Sequence, residues 1–468
     1  MHGTKLLQLV KTLSKKELKA FTKYLKANYA SSASLVKLFE HIESFYGDWE
    51  SSDLQLDHVS TALKQANNTK AISNKSSDLY KILLDYLVKK ELDTEEYTFE
   101  KNTIILGILE KRNLDKLRAQ KWNAIKKAFD QNKKVDSWTP VKEIQINELN
   151  YYKKIGNKYD ASNKTLRDSI ELLHQFELGL KSKYACEILY RSQFLTSPHD
   201  EKLYSFILNT VPSPDNFFQH IFHTLFKTLY TSSLPLYRET FQLLKDSDGK
   251  ISEKDKQIIF LHLINFSAKQ SRKNQQPYGT ELLALFKFGL ETKILVKDQQ
   301  ITRVRFHNIV DVACKTGDIE FGRNFIRDYQ KYLPTNQIAD TVILAKAIIS
   351  FAEKDFEGVQ ERLSRMNFKY VDEKFRAQSL ILSSFFELQG NSSTTWDKCH
   401  AFKAFLDRKN THIGKNFLAG YRTYINTIEK LMREELEKSE IQRYIVGADN
   451  IVMKFWLLEK LKSYRKKY

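Results

Sequence analysis

The sequence predicts an all-α chain, a solenoid of stacked helix pairs behind an N-terminal helical domain. Three observations carry this. Apolar residues recur at helical spacing along almost the whole length. Gly (15) and Pro (7) are scarce in 468 residues, whereas β-rich and α/β folds use such residues for turns and loops. Finally, a helix, a short polar turn and a second helix recur at the turn residues Asp318, Asp355 and Asn391, close to the period of helical repeat proteins.

At 468 residues the chain is too long for one ordinary core. Apolar residues at 42% and aromatics at 12% supply ample surface for burial, which argues against disorder of the whole. The pattern divides into an N-terminal helical domain over 1–138, irregular helical repeats over 139–300, helix pairs over 301–410 and C-terminal capping helices over 411–468.

In the first of these, Ser14 and Glu17 have the spacing of a capping box. The helix they open places Leu18, Phe21 and Leu25 on one face and lysines on another. Amphipathic segments follow over 34–46, 56–66, 78–91 and 95–132, the last long enough for two helices. Pro140 restricts Thr139 and predicts a break there. Two or three helices then run to about residue 200, where Pro198 stops them, and Val211-Pro-Ser-Pro214 reads as a linker. Pro235 and Pro277 mark further interruptions; between them Ser252, three residues before Asp255, resembles a helix start.

The clearest repeat follows. Helices are predicted over 306–314 and 319–332, 338–351 and 359–366, and 375–388 and 396–406. One such pair cannot bury its apolar face alone, so neighbouring pairs must supply the core. Residues 303–409 resemble a degenerate tetratricopeptide-repeat array, on the small residues Ala313, Ala345 and Ala347, the turns Gly317-Asp318 and Lys354-Asp355, and Pro334 at a unit end. The full consensus of Trp, Leu-Gly, Tyr and a final Pro is absent. The ends of the chain, Leu13-Ser-Lys-Lys-Glu-Leu-Lys-Ala-Phe21, Leu35-Val-Lys-Leu-Phe39 and Phe455-Trp-Leu-Leu-Glu-Lys-Leu461, resemble those of bacterial helical-repeat proteins with no assigned activity. The resemblance implies stacked helix pairs; no cofactor is expected.

Motifs of chemistry are few. Cys186, Cys314 and Cys399 lie far apart without Cys-x-x-Cys, so neither a disulfide framework nor a zinc site is expected. The apolar stretch near the N-terminus is short and interrupted, and no run approaches the ~20 residues of a membrane span. A cytoplasmic protein without membrane insertion is expected. Phosphate-loop and nucleophile-elbow patterns are missing. Asp246, Asp248, Ile251 and Asp255 fall at EF-hand positions around Gly249, but Leu244 occupies the first ligand position and the last is Asp rather than Glu. His220 and His223 share a helix face amid Phe217, Phe218, Phe222 and Phe226, which reads as an aromatic core face rather than a metal site. Adjacent Cys399 and His400 point apart on a helix, a poor nucleophile–base pair.

The remaining signal is charge. The net charge is +18, with 75 basic and 57 acidic residues, which favours polyanions but says nothing of fold. Lys15, Lys16, Lys19, Lys23 and Lys26 form a helical stripe and are the candidate polyanion-binding residues. Lys126, Lys127, Lys133 and Lys134 gather near Trp122 and Trp138. The expected function is a non-enzymatic scaffold or adaptor holding a protein or peptide partner on the solenoid's inner surface. Arg303, Arg305 and Tyr329 are candidate anchors there. The alternative is a nucleic-acid-binding helical protein that uses the lysine stripe.

Overall fold

A computed structural model describes residues 1–63, 69–131, 138–151, 163–192, 200–273, 276–296, 300–408, 415–448 and 450–465. The described residues form 23 α-helices and no strand, apart from a few short 3₁₀ turns. The chain separates into two compact units, Met1–Asn132 and Lys133–Tyr468. The breaks expected at Pro198, and the lysines Lys133 and Lys134, lie outside the described residues.

The first unit holds α1 (Lys5–Val10), α2 (Lys15–Asn28), α3 (Ala33–Ser44), α4 (Leu56–Ala62), α5 (Thr69–Leu92), α6 (Thr98–Lys111) and α7 (Asp115–Gln131). The capping box is present at the start of α2. The Glu17 N–H donates to Ser14 Oγ at 3.3 Å, and the Ser14 N–H donates to the Glu17 carboxylate at 2.8 Å. These bonds satisfy two donors that a helix start leaves open. Leu18, Phe21 and Leu25 of α2 are fully buried with Phe39 and Ile42 of α3 and Leu79 of α5. Phe21 meets Phe39 edge to face at 4.8 Å between ring centroids, a favoured geometry for the ring quadrupoles.

The second unit begins with α8 (Thr139–Tyr151), α9 (Lys164–Arg191), α10 (Glu201–Asn209), α11 (Phe217–Thr231), α12 (Leu234–Lys245), α13 (Glu253–Arg272) and α14 (Gln276–Glu291). Pro140, Pro235 and Pro277 sit in the first turns of α8, α12 and α14. The interruptions expected at these prolines are helix starts instead. A first-turn proline lacks only an N–H that has no partner within the helix, so these residues begin helices. Ser252 caps α13 as expected, accepting the Asp255 N–H at 3.1 Å. The double-proline stretch around Ser213 is the connection between α10 and α11.

Next come three pairs, α15 (Arg303–Lys315) with α16 (Ile319–Tyr329), α17 (Ile338–Ala352) with α18 (Phe356–Ser364), and α19 (Val371–Gln389) with α20 (Ser393–Arg408). α21 (Lys415–Arg433), α22 (Lys438–Val446) and α23 (Lys454–Ser463) complete the chain. Consecutive helices pack on one another throughout the unit, and the first helices of successive pairs also touch, α15 against α17 and α17 against α19. That pattern suits a stack of pairs, in which each first helix is covered by its own partner and by the next unit. Two apolar clusters result. One centres on residues such as Phe222, Phe260, Phe306 and Ile309, the other on Phe375, Phe402, Tyr424 and Leu457.

Candidate functional site

The turns decide which helix faces become available. Gly317 (φ +83°) and Lys354 (φ +63°) end α15 and α17 in the left-handed region, and each is followed at once by the N-cap of the next helix. The Asp318 N–H returns to the Ala313 carbonyl and the Asp355 N–H to the Ser350 carbonyl, each at 2.9 Å. This is the hydrogen-bond pattern of a Schellman motif. Reversal within two residues keeps each pair tight. The third turn differs. Gly390 ends α19, Ser392 rather than Asn391 caps α20, and Asn391 instead donates to the Met432 carbonyl at 2.7 Å.

The first helices, α15, α17 and α19, share one side of the stack, and α21 and residues 450–456 close over it. Between them lie three adjoining cavities of about 300, 260 and 380 Å³. The first two share Asp311, Lys315, Ile348, Leu380 and Met453; the second and third share Lys315, Phe417, Tyr421, Val452 and Met453. The first and third also share Lys315, Met453 and Phe455, so the three cavities meet at Lys315 and Met453. They form one groove with an apolar end at Phe351, Phe356 and Trp456, a charged part around Asp311 and Arg376, and an aromatic, basic mouth.

The charged part is a network across the first helices. Asp311 of α15 accepts from Lys315 Nζ at 2.7 Å and lies 3.5 Å from the Arg376 guanidinium of α19. Burial alone would raise this carboxyl, but Lys315 and Arg376 hold it below the usual range. His307 donates from Nε2 to the Thr341 carbonyl at 3.0 Å. Burial, with Arg376 adding to it, pushes the imidazole down to about 3, so it is neutral in the folded chain. Arg303 pairs with Asp372 at 2.5 Å and stacks on the Tyr370 ring at 3.9 Å.

Glu373 is the odd member. It is 1% exposed, neither carboxyl oxygen receives a well-formed hydrogen bond among the described residues, and Arg303 Nη1 stands 3.7 Å away. Burial raises the acid to about 7 against the pull of Arg303. Cys314, at the apolar end, is pushed up to about 12 by burial and stays a thiol at neutral pH. The groove therefore offers hydrogen bonds, fixed charge and apolar surface.

The residues singled out in the sequence are placed as follows. Lys15, Lys16, Lys19, Lys23 and Lys26 are all exposed on the side of α2 turned away from Leu18, Phe21 and Leu25. Lys26 pairs with Glu40 at 2.6 Å. Lys126 lies 5.5 Å from the Trp122 ring centroid. The EF-hand-like carboxylates do not converge, because Asp255 takes Lys183 at 2.6 Å and Asp248 takes Lys256 at 2.9 Å. His223 is buried with Nε2 on the Ile207 carbonyl at 3.0 Å, while His220 lies 3.9 Å from Glu239. Cys399 is buried and His400 exposed. No group of three or more His, Cys, Asp or Glu gathers for a metal among the described residues. Of the proposed anchors, Arg303 belongs to the charged network and Tyr329 stacks on Phe325 at 5.1 Å. Burial lowers the Arg305 guanidinium below its ordinary value.

Sequence reasoning missed Glu373, Arg376, Asp311 and Arg272. Each reads as an ordinary helix charge, and only the packing of distant helices sets them around the adjoining cavities. No helix among the described residues is long and apolar enough to cross a membrane. Compared with protein-family models, with curated proteins and with solved structures, the chain finds no match in any of the three.

Proposed function

We propose that the chain is a non-enzymatic scaffold or adaptor, a solenoid of tetratricopeptide-like helix pairs that holds a segment of a protein partner in the groove along α15, α17 and α19. The observation that carries this reading is the run of three adjoining cavities on one side of the stacked first helices. Their sizes suit several side chains of one bound segment, and an apolar lining with a few placed charges is what recognition sites offer. Cys186, Cys314 and Cys399 are all unpaired, in keeping with a reducing compartment, which the proposal takes to be the cytoplasm. The test is a photo-crosslinking amino acid at Phe417, at the groove mouth and 41% exposed, introduced into the full chain at native level. The reading expects protein adducts that survive nuclease and are absent when the crosslinker replaces the outward-facing Lys331. Equal labelling from both positions, or none, would sink it.

A second reading, binding of nucleic acid through α2, is favoured by one observation. Lys15, Lys16, Lys19 and Lys23 make no ion pair among the described residues, and Lys89 adds its ammonium 3.3 Å from the Tyr24 hydroxyl beside them. Unneutralised lysines beside aromatic rings can hold phosphates and stack bases. On this reading the double change Lys19→Glu and Lys23→Glu abolishes salt-dependent retention on immobilised RNA; unchanged retention dismisses it.

A further inference from the structure

The groove mouth has a charge imbalance that its other end lacks. The third cavity, about 380 Å³, is lined by Arg272, Lys315 and Lys454 and, among the described residues, by no carboxylate. Arg272 ends α13 and its Nε donates to the Ala268 carbonyl at 3.2 Å; Lys454 opens α23 and donates to the Val446 carbonyl at 3.3 Å. Neither forms an ion pair among the described residues. Lys315 does, with Asp311, but that carboxylate is already shared with Arg376. The same cavity is lined by the apolar rings of Phe417, Tyr421 and Phe455, with Phe417 and Tyr421 at 5.1 Å between ring centroids. By contrast, the apolar end carries its own balance, with Glu387 accepting from Trp456 Nε1 at 2.6 Å and from Lys460 at 2.7 Å.

We infer that the groove mouth between α13, α15, α21 and α23 docks an acidic peptide segment, one whose carboxylates meet Arg272 and Lys454 while a neighbouring apolar side chain covers Phe417 and Tyr421. This rests on the groove reading above and specifies its partner. The physical reason is complementarity. Two cations facing one recess, neither ion-paired among the described residues, repel each other, and an arriving carboxylate relieves that repulsion while forming charge-assisted bonds. A peptide fits better than a nucleic-acid strand because the cations sit around a single recess. They do not run as a track that could neutralise successive phosphates.

The experiment uses the full chain on an array of synthetic octapeptides, each with one position fixed and the rest randomised. Spots fixed as Asp or Glu should retain the most protein. Arg272→Gln with Lys454→Gln should weaken retention on those spots about tenfold, the loss expected of one or two charge-assisted bonds, with unchanged helical circular dichroism. Retention indifferent to acidic residues, no retention on any spot, or an acidic preference that survives the double change overturns the proposal. So does a twenty-residue oligouridine that displaces the chain from the array and itself loses binding in the variant, since the occupant is then RNA. If acidic preference fails while crosslinking from Phe417 still captures protein, the groove reading stands and only the acidic occupant falls.

Discussion

Asp318 and Asp355 hold the same place in successive helix pairs. Each accepts the backbone N–H three residues on, Phe321 at 3.2 Å and Gly358 at 2.9 Å, and each follows a left-handed residue that ends the preceding helix. The second case carries a conflict that the first lacks. A Cβ on Gly358 would lie 2.0 Å from Asp355 Oδ2, so a larger residue there evicts the cap.

Asp355→Ala should therefore cost about 1 kcal/mol, the usual loss of an N-cap. Gly358→Ala, which in an open helix gains up to about 1 kcal/mol, should instead destabilise the chain by a similar amount. In the double variant the clash with the carboxylate is gone and only the flexible Arg362 side chain, at 2.7 Å, has to move, so the two effects should not add, with a coupling of about 1–2 kcal/mol in urea unfolding. Additive effects would mean that the carboxylate moves aside freely.

Glu373 should make stability fall as pH rises. Its folded value, about 7, lies above the ordinary 4.5, so between those values the folded chain holds a proton that the unfolded chain has lost. The stabilising effect is complete below about pH 4.5 and gone above about pH 7. Glu373→Gln keeps the shape without the charge and should raise stability at pH 8 by about 1–2 kcal/mol, with little change at pH 5. Melting curves at the two pH values give the comparison; equal shifts at both would place the carboxylate's charge elsewhere.

His307 acts with the opposite sign. Its folded value of about 3 lies below the ordinary 6.5, so the unfolded chain takes up the proton first and stability is lost as pH falls from 6.5 toward 3. His307→Gln, which keeps a donor toward the Thr341 carbonyl, should flatten that acid-side loss. Between pH 4.5 and 6.5 the two residues offset one another, and the wild-type chain should show a shallower slope there than either variant. Urea titrations at half-unit steps resolve the slopes.

Gly420 lets residues 450–456 lie on α21. A Cβ there would stand 2.1 Å from the Asn450 carbonyl oxygen, which is main chain and cannot rotate away. Gly420→Ala should cost about 1–3 kcal/mol, as overpacking does, and speed hydrogen exchange across 450–457 while leaving α15 and α17 protected. Unaltered exchange there would show that the segment packs independently of α21.

Much of the fold was legible in the sequence because its cues are local. The Ser14–Glu17 box, the cap at Ser252 and the turns Gly317-Asp318 and Lys354-Asp355 act through bonds spanning a few residues, so spacing alone reveals them. Local cues also misled. Pro140, Pro235 and Pro277 looked like interruptions because proline both ends one helix and opens the next, and only the neighbouring hydrogen bonds tell which.

The groove was not legible. Arg272, Lys315 and Lys454 are far apart in the chain, and their meeting depends on how α13, α15 and α23 stack. Glu373 reads as a first-turn acid of α19, well suited to the helix dipole, yet it is sealed from water. Periodicity along the chain thus determined that this protein is helical, where most helices lie and that the later ones pair, because helix formation is governed by neighbours three and four residues apart. Tertiary structure alone decided which charges lost their solvent and which cations share a recess, because desolvation and electrostatic coupling depend on distance in space, and distance in sequence does not report it.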